Sequence, residues 1–493
     1  LKDAILIFGG GCTGEVVSNE GLIFTNHHCG YNAIAAASSV EHNYLRDGFY
    51  AYNKEQEIKS NLTVQFLDRI EDVTKEVEEA VKGLSWDERV KKLPDVMKAI
   101  TDKVADKENG LEGRIYSMFK GNQYIMYVYK RYRDIRLVGA PPESVGKFGG
   151  DTDNWEWPRH TGDFSIFRVY GNKEGKPADF STENIPLKPK HFLPVSIKGF
   201  KDGDYAMIYG YPGSTNRYET SYGIKLKNEV ENPSLVALRD MRLKYMYEQM
   251  IKDPAVKLKL ADNYASVANY WKFFDGETKQ LKKFNTYEQK QDYENKFTSW
   301  AKGKSEYETL MAEYAQNYAT WTPYSKLRQY MNEGVVGSPL IAHAAGLISL
   351  EDKLLKNNTP AADLKKATDA ATANRKGFLE HEDLPSDEKI LAAVCMMFYN
   401  DIDKSQHPIG FYEALKANYG DLKDEATYKK WAHDVFSKTM ILDETKWNAF
   451  VANPDAAALQ ADPAFAFASA FVKNYNTKYA PLYTQFVNRN NEL

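Results

Sequence analysis

Cysteine is scarce in this chain, three in 493 residues, too few for a disulfide-rich scaffold. No run of eighteen or more apolar residues occurs, which excludes a transmembrane helix. An excess of one charge is also missing. Lys+Arg number 64 and Asp+Glu 68, a formal net charge of −4, without the basic surplus typical of nucleic-acid binders. Gly9-Gly10-Gly11 is followed by neither the helix nor the lysine that a phosphate loop needs. No short-period repeat and no low-complexity tract breaks the chain. What is abundant is aromatic: 33 Tyr, 24 Phe and 8 Trp, together 13%. The remaining composition, 43% hydrophobic and 27% charged, is ordinary for a globular protein. At roughly 100–200 residues per domain, the length suggests two to four domains.

Two textures divide the sequence. Residues 1–216 are rich in Gly, β-branched and aromatic residues in short apolar runs. Ala4–Phe8, Leu22–Thr25, Tyr124–Tyr132, Phe164–Tyr170 and Tyr205–Tyr209 read as strands with Gly-bearing turns between them, which argues for a β-barrel or sandwich. A helical insertion is expected over about 67–110, because Ile70, Val73, Val77, Val81 and Leu84 fall on one helical face. Ser85 and Glu88 fit a capping box opening a second helix, which Pro94 should shorten or kink. Residues 217–493 carry long amphipathic segments and read as an all-α domain, with Asn232-Pro233 as a helix start.

The chemistry concentrates in Leu22-Ile23-Phe24-Thr25-Asn26-His27-His28-Cys29-Gly30. An apolar strand ends in Thr, and a His precedes a Cys. Adjacent histidines alternate faces on a strand, so a shared metal is disfavoured without further ligands. The other histidines show no His-x-x-x-His spacing. The segment resembles the histidine motif of chymotrypsin-like serine peptidases, where a strand delivers the general-base His to a cleft. In that motif the Cys after the His often bridges back to the preceding strand, and Cys12 stands where the partner of Cys29 would be. A base of this kind needs a carboxylate to fix its tautomer. Asp163 opens an apolar strand 135 residues after His28, and the helical insertion accounts for that long interval.

Four segments carry a more specific resemblance: Gly9–Glu15, Thr25–Tyr31, Gly149–Trp155 and Gly210–Arg217. Together they are similar to the bacterial dipeptidyl-peptidase 7 and dipeptidyl-peptidase 11 family. The resemblance implies a chymotrypsin-type double β-barrel with a helical domain between the barrels, and removal of dipeptides from free peptide N-termini. It implies His28 as general base and Asp163 as its orienting carboxylate. It implies Asn154, Trp155 and, through Ala268-Asn269-Tyr270-Trp271, Asn269 as the groups that hold the substrate's terminal ammonium. Amide oxygens accept N–H donors, and an indole face attracts a cation. A homodimer in the periplasm or at the cell surface is expected, with a peptide as partner and no cofactor or metal.

The family's Gly-Asn-Ser-Gly-Ser-Pro nucleophile motif has one similar string here, Gly334-Val335-Val336-Gly337-Ser338-Pro339. It puts Val336 at the nucleophile position and sits among helical segments, so Ser338 reads as part of a helix-to-helix turn. Ser214 lies in the first barrel, where the family places no nucleophile. The expected architecture is therefore α+β: one chymotrypsin-like barrel with a helical insertion, then an α-helical cap. The second barrel and its serine would lie outside a partial sequence that starts abruptly at Leu1. The alternative is an inactive homologue that binds peptides. Cys395 is expected to be a buried helix residue.

Overall fold

The computed structural model describes residues 1–356 and 358–493. Leu1–Arg217 and Tyr218–Asn491 form two compact units, and the division falls one residue after the change in sequence texture.

The first unit is built on one antiparallel sheet. Its strands are β1 (Ile5–Phe8), β2 (Cys12–Val16), β3 (Leu22–Thr25), β4 (Phe49–Tyr50), β5 (Ile58–Lys59), β6 (Val64–Asp72), β7 (Leu111–Met118), β8 (Gln123–Tyr132), β9 (Asp134–Ala140), β10 (Ser165–Gly171) and β11 (Ile185–Pro186). The order is β4-β9-β10-β3-β2-β1-β6-β8-β7, with β5 on β9 and β11 on β10. Gly9 and Gly10 turn β1 into β2 at φ 59° and 90°, a backbone region that glycine enters without a Cβ penalty. All four residues of β1 are buried. Phe8 of β1 meets Phe167 of β10 at 4.9 Å between ring centroids, although β2 and β3 lie between them in the ladder. With strands about 4.8 Å apart, a flat sheet would hold these rings far beyond contact, so the sheet curls around its apolar face.

Helices Thr74–Ala80 and Trp86–Asp102 interrupt the sheet between β6 and β7. They bury Val77 and Ile100 against Tyr124, Met126 and Val128. Ser85 and Glu88 form the reciprocal capping box. Three expectations need correction. The insertion starts later than its apolar spacing suggested, because Ile70 belongs to β6, opposite Tyr127, and is 54% exposed. Tyr127, Tyr129 and the other aromatic and β-branched residues of 125–132 make a better partner for 64–72 than a helix would. The second helix runs through Pro94 unbroken. Tyr205–Tyr209 pairs with no strand among the described residues, and Tyr205 and Ile208 stand in solvent. Apolar composition alone does not make a strand when no neighbouring ladder receives its backbone.

Among the described residues, the regular elements of the second unit are all helices. Its core gathers much of the aromatic content, including Trp447, Tyr330, Tyr428, Phe398, Phe465 and Phe471, with Cys395 buried among them. Asn232 does not cap a helix. A helix already runs from Ser221, passes a π-turn at Lys227–Glu231 and continues through Asn232–Met250. The wider turn immediately precedes Pro233, which has no N–H to give to the turn before it. Asn232 instead donates to Glu277 and Thr278 at 2.9 and 3.1 Å. Three neighbouring carboxylates, Glu382, Asp383 and Asp387, are buried here. Asp387 accepts the Leu340 N–H at 2.8 Å. Burial, reinforced by Asp387 and Asp383, lifts Glu382 to about 9. Burial likewise lifts Asp387 to about 7.

Candidate active site

β3 ends at Thr25, whose hydroxyl donates to the Thr13 carbonyl at 2.8 Å. The chain then turns at Asn26 into the helix His27–Ala37. The two histidines therefore lie on the first turn of a helix and not on a strand. Cys29 of that turn is disulfide-bonded to Cys12 at the start of β2, with Cα atoms 6.2 Å apart. The helix lies close on β10. A Cβ at Gly30 would sit 2.7 Å from Ser165 Oγ and 2.9 Å from the Phe167 ring, closer than real side-chain carbons come.

The β3–β10 ladder brings the second member of the pair. Ser165 is paired with Thr25, so the residues after β3 and those before β10 leave the sheet at the same end. Asp163 meets His28 there. Its Oδ2 lies 2.7 Å from His28 Nδ1, and its Oδ1 accepts the His28 backbone N–H at 3.0 Å. Asn26 Nδ2 donates to the Asp163 carbonyl at 3.1 Å and to Oδ2 at 3.3 Å. The imidazole is 69% exposed and the carboxylate 18%. Burial pushes the Asp163 carboxyl up, but the hydrogen bond and charge of His28 together with its backbone N–H outweigh this and hold it below the usual range. An ionised Asp163 accepting Nδ1–H leaves Nε2 as the basic nitrogen, which is the tautomer a general base requires.

His27 is different in kind. It is 1% exposed, and its ring meets Tyr31 edge-on at 5.8 Å. A Cβ at Gly146 would fall 2.4 Å from it. Burial lowers its pKa, so it packs as a neutral ring. The ligand atoms of Cys12, His28 and Cys29 lie close together, but the disulfide uses both sulfurs, and a metal site of this type needs thiolates.

Asn154 and Trp155 sit in the loop between Gly149 and Asp163. Gly149 and Gly150 adopt φ of 82° and 57°, and Trp155 adopts 61°, uncommon for a residue with a side chain. Its indole is largely exposed. Asn154 Oδ1 accepts from Arg159 Nη1 at 3.2 Å. Arg159 also donates to Thr161 Oγ1 at 3.0 Å, and Thr161 donates to the Phe148 carbonyl at 2.8 Å. Arg159 thus orients Asn154, a role that its place five residues away did not announce. Asn26 was also missed, although it stands inside the histidine motif. His160 is exposed in the same loop. Asn269 belongs to the second unit, half-buried on helix Pro254–Lys283. It precedes Tyr270, over which the Arg239 guanidinium lies at 5.5 Å. Ser338 is fully buried between helices, which keeps its hydroxyl from any substrate, and Ser214 is in an exposed loop.

The peptidase S46 family profile matches residues 1–491. An Asp/Glu-specific dipeptidyl-peptidase of Flavobacterium psychrophilum is 39% identical over 98% of this chain and 67% of its own length. A dipeptidyl-peptidase 7 of Capnocytophaga gingivalis is 36% identical over 96% of this chain and 66% of its own. The crystal structure of Porphyromonas endodontalis DPP11 in complex with the dipeptide Arg-Glu superposes with a TM-score of 0.87. It is 30% identical, covering all of this chain and 70% of that one. The chain spans about two thirds of the length of these relatives. On the profile, the identities and the shared fold, the chain belongs to the peptidase S46 family.

Proposed function

We propose that this chain supplies the general base of a serine exopeptidase that releases dipeptides from free peptide N-termini. The observation that carries the reading is the Asp163 carboxylate, which holds His28 by its ring nitrogen and its backbone N–H at once. His28 Nε2 takes the proton of a serine hydroxyl as that oxygen attacks the second peptide bond, and later returns it to the leaving amine. Asp163 stays ionised and stabilises the imidazolium between those steps. On this reading the curled sheet is the first of two chymotrypsin-like barrels, and the serine and its oxyanion donors lie outside residues 1–493. Asn154 accepts from the substrate ammonium, and the exposed Trp155 offers its face to the same charge. The Cys12–Cys29 bond suits an oxidising compartment such as the periplasm or cell surface. A homodimer completes the proposal.

The test uses paired peptides, free and acetylated at the N-terminus, with acidic or apolar residues in second position. The relatives include an Asp/Glu-specific enzyme and a dipeptidyl-peptidase 7, so both side-chain classes belong in the assay. Dipeptide release from free peptides alone supports the proposal. Equal cleavage of acetylated peptides would overturn the exopeptidase reading. Absence of labelling by a fluorophosphonate in the whole protein would overturn the serine mechanism.

A further inference from the structure

The residue before the two histidines does something its position does not call for. Asn is among the best helix N-caps because its side-chain oxygen accepts an N–H of the first turn. Asn26 occupies that position before His27–Ala37, with the extended backbone of a cap (φ −72°, ψ 151°), yet its side chain makes no cap bond. Its amide instead donates to Asp163, at 3.1 Å to the carbonyl and 3.3 Å to Oδ2. The first-turn N–H of His28 is satisfied by Asp163 Oδ1 at 3.0 Å. The cap has been exchanged: a carboxylate from before β10 closes the helix, and the natural cap residue holds that carboxylate. Ser165 Oγ donates to the Asn26 carbonyl at 2.8 Å and keeps the residue over the β3–β10 ladder.

We propose that Asn26 is a positioning residue of the His28–Asp163 pair, and that its donated hydrogen bond sets how strongly Asp163 pulls on the His28 proton. The inference rests on the assignment of that pair under the proposed function. Oδ2 receives two donors, His28 Nδ1 and Asn26 Nδ2. Each donor spreads the carboxylate's charge and lowers its basicity. Without the Asn26 bond, more of the charge at Oδ2 faces the imidazolium, and His28 becomes more basic. Glu143 and Lys147 act with His28 and Asp163 on the neighbouring His27, and none of these side chains is altered by changing Asn26. A residue that merely braced the loop would act in the opposite sense, because a carboxylate drifting away from His28 would make the imidazole less basic.

The experiment is an NMR titration of the His28 ring in this chain, which needs no turnover. Asn26→Ala removes the donor without adding a charge, and it should raise the His28 pKa by a few tenths of a unit. A His28 pKa unchanged or lowered in Asn26→Ala overturns the proposal. Should that variant not fold, Asn26→Gly, which a cap position tolerates, decides by the same reading. Asp163→Asn separates the two levels of the argument. It should lower the His28 pKa by about one unit. If it does not, the pair itself is wrong; if it does while Asn26→Ala has no effect, only the role of Asn26 is lost.

Discussion

Replacing Cys12 and Cys29 together by serine should destabilise the first unit by about 3 kcal/mol. The bond spans a sequence separation of 17. Closing a loop of that size removes roughly 10 cal/mol/K from the unfolded chain, which is about 3 kcal/mol at room temperature. The native side adds little strain, because β1–β2 and β2–β3 pairing already fixes the Cys12 end. Hydrogen exchange followed by mass spectrometry can read the two units separately. The slowest amides of β1, β2 and β3 should exchange about 10²-fold faster in the double variant, while the slowest amides of Asn232–Met250 in the second unit keep their rate. Reduction of the parent chain should reproduce the change. A loss below about 1 kcal/mol would refute the loop-entropy argument. It would mean that the unfolded chain already holds these segments near one another.

Three other outcomes follow from the packing and the charges. Gly30→Ala places a methyl 2.7 Å from Ser165 Oγ, and should cost about 1–3 kcal/mol in a thermal melt while weakening the His28–Asp163 bond. Glu382 and Asp387 are raised in the folded state to about 9 and about 7, so folding favours their protonated forms. Their contribution is present at low pH and is lost as pH climbs from the ordinary carboxyl range through 7 and 9. Glu382→Gln should therefore leave stability nearly unchanged at pH 5 and raise it at pH 8 by on the order of 1–3 kcal/mol, measured by urea denaturation. In the whole enzyme, His28→Ala should lower kcat by on the order of 10⁴–10⁶, and Asp163→Asn by about 10⁴, measured as dipeptide release.

The parts of the fold readable from sequence are those where local pattern and tertiary demand agree. Ile5–Phe8, Leu22–Thr25 and Ser165–Gly171 are short, apolar and bounded by turn residues, and each lies in the interior of the sheet. The end of β6 was harder, because Ile70 stands three residues before Val73 and so continues the helical spacing of Val73, Val77 and Val81 as well as it fits a strand. Tyr205–Tyr209 has strand composition, but pairing is a property of the neighbour and cannot be read from the segment. The π-turn ahead of Pro233 has no sequence signature beyond the proline itself. In the site, His28 and Asp163 were legible because their residue types and flanking strands are unusual together. Asn26 and Arg159 were not, because an amide cap and a surface arginine are common, and only three-dimensional placement turns them toward Asp163 and Asn154.

The ladder between β3 and β10 works like a vernier. The distance between His28 and Asp163 depends on one register, Ser165 against Thr25, and hardly at all on the 135 residues that separate the pair along the chain. That interval can accept or lose whole hairpins and helices at its far loops without moving the two groups, as the segment from Thr74 to Asp102 already illustrates. A single-residue insertion inside either strand would have the opposite effect. It would swing Asp163 to the wrong side of the sheet. Grafted loops, domain insertions or new chain ends should therefore be tolerated between Val73 and Asn109, while a one-residue change in Leu22–Thr25 or Ser165–Gly171 should separate the pair.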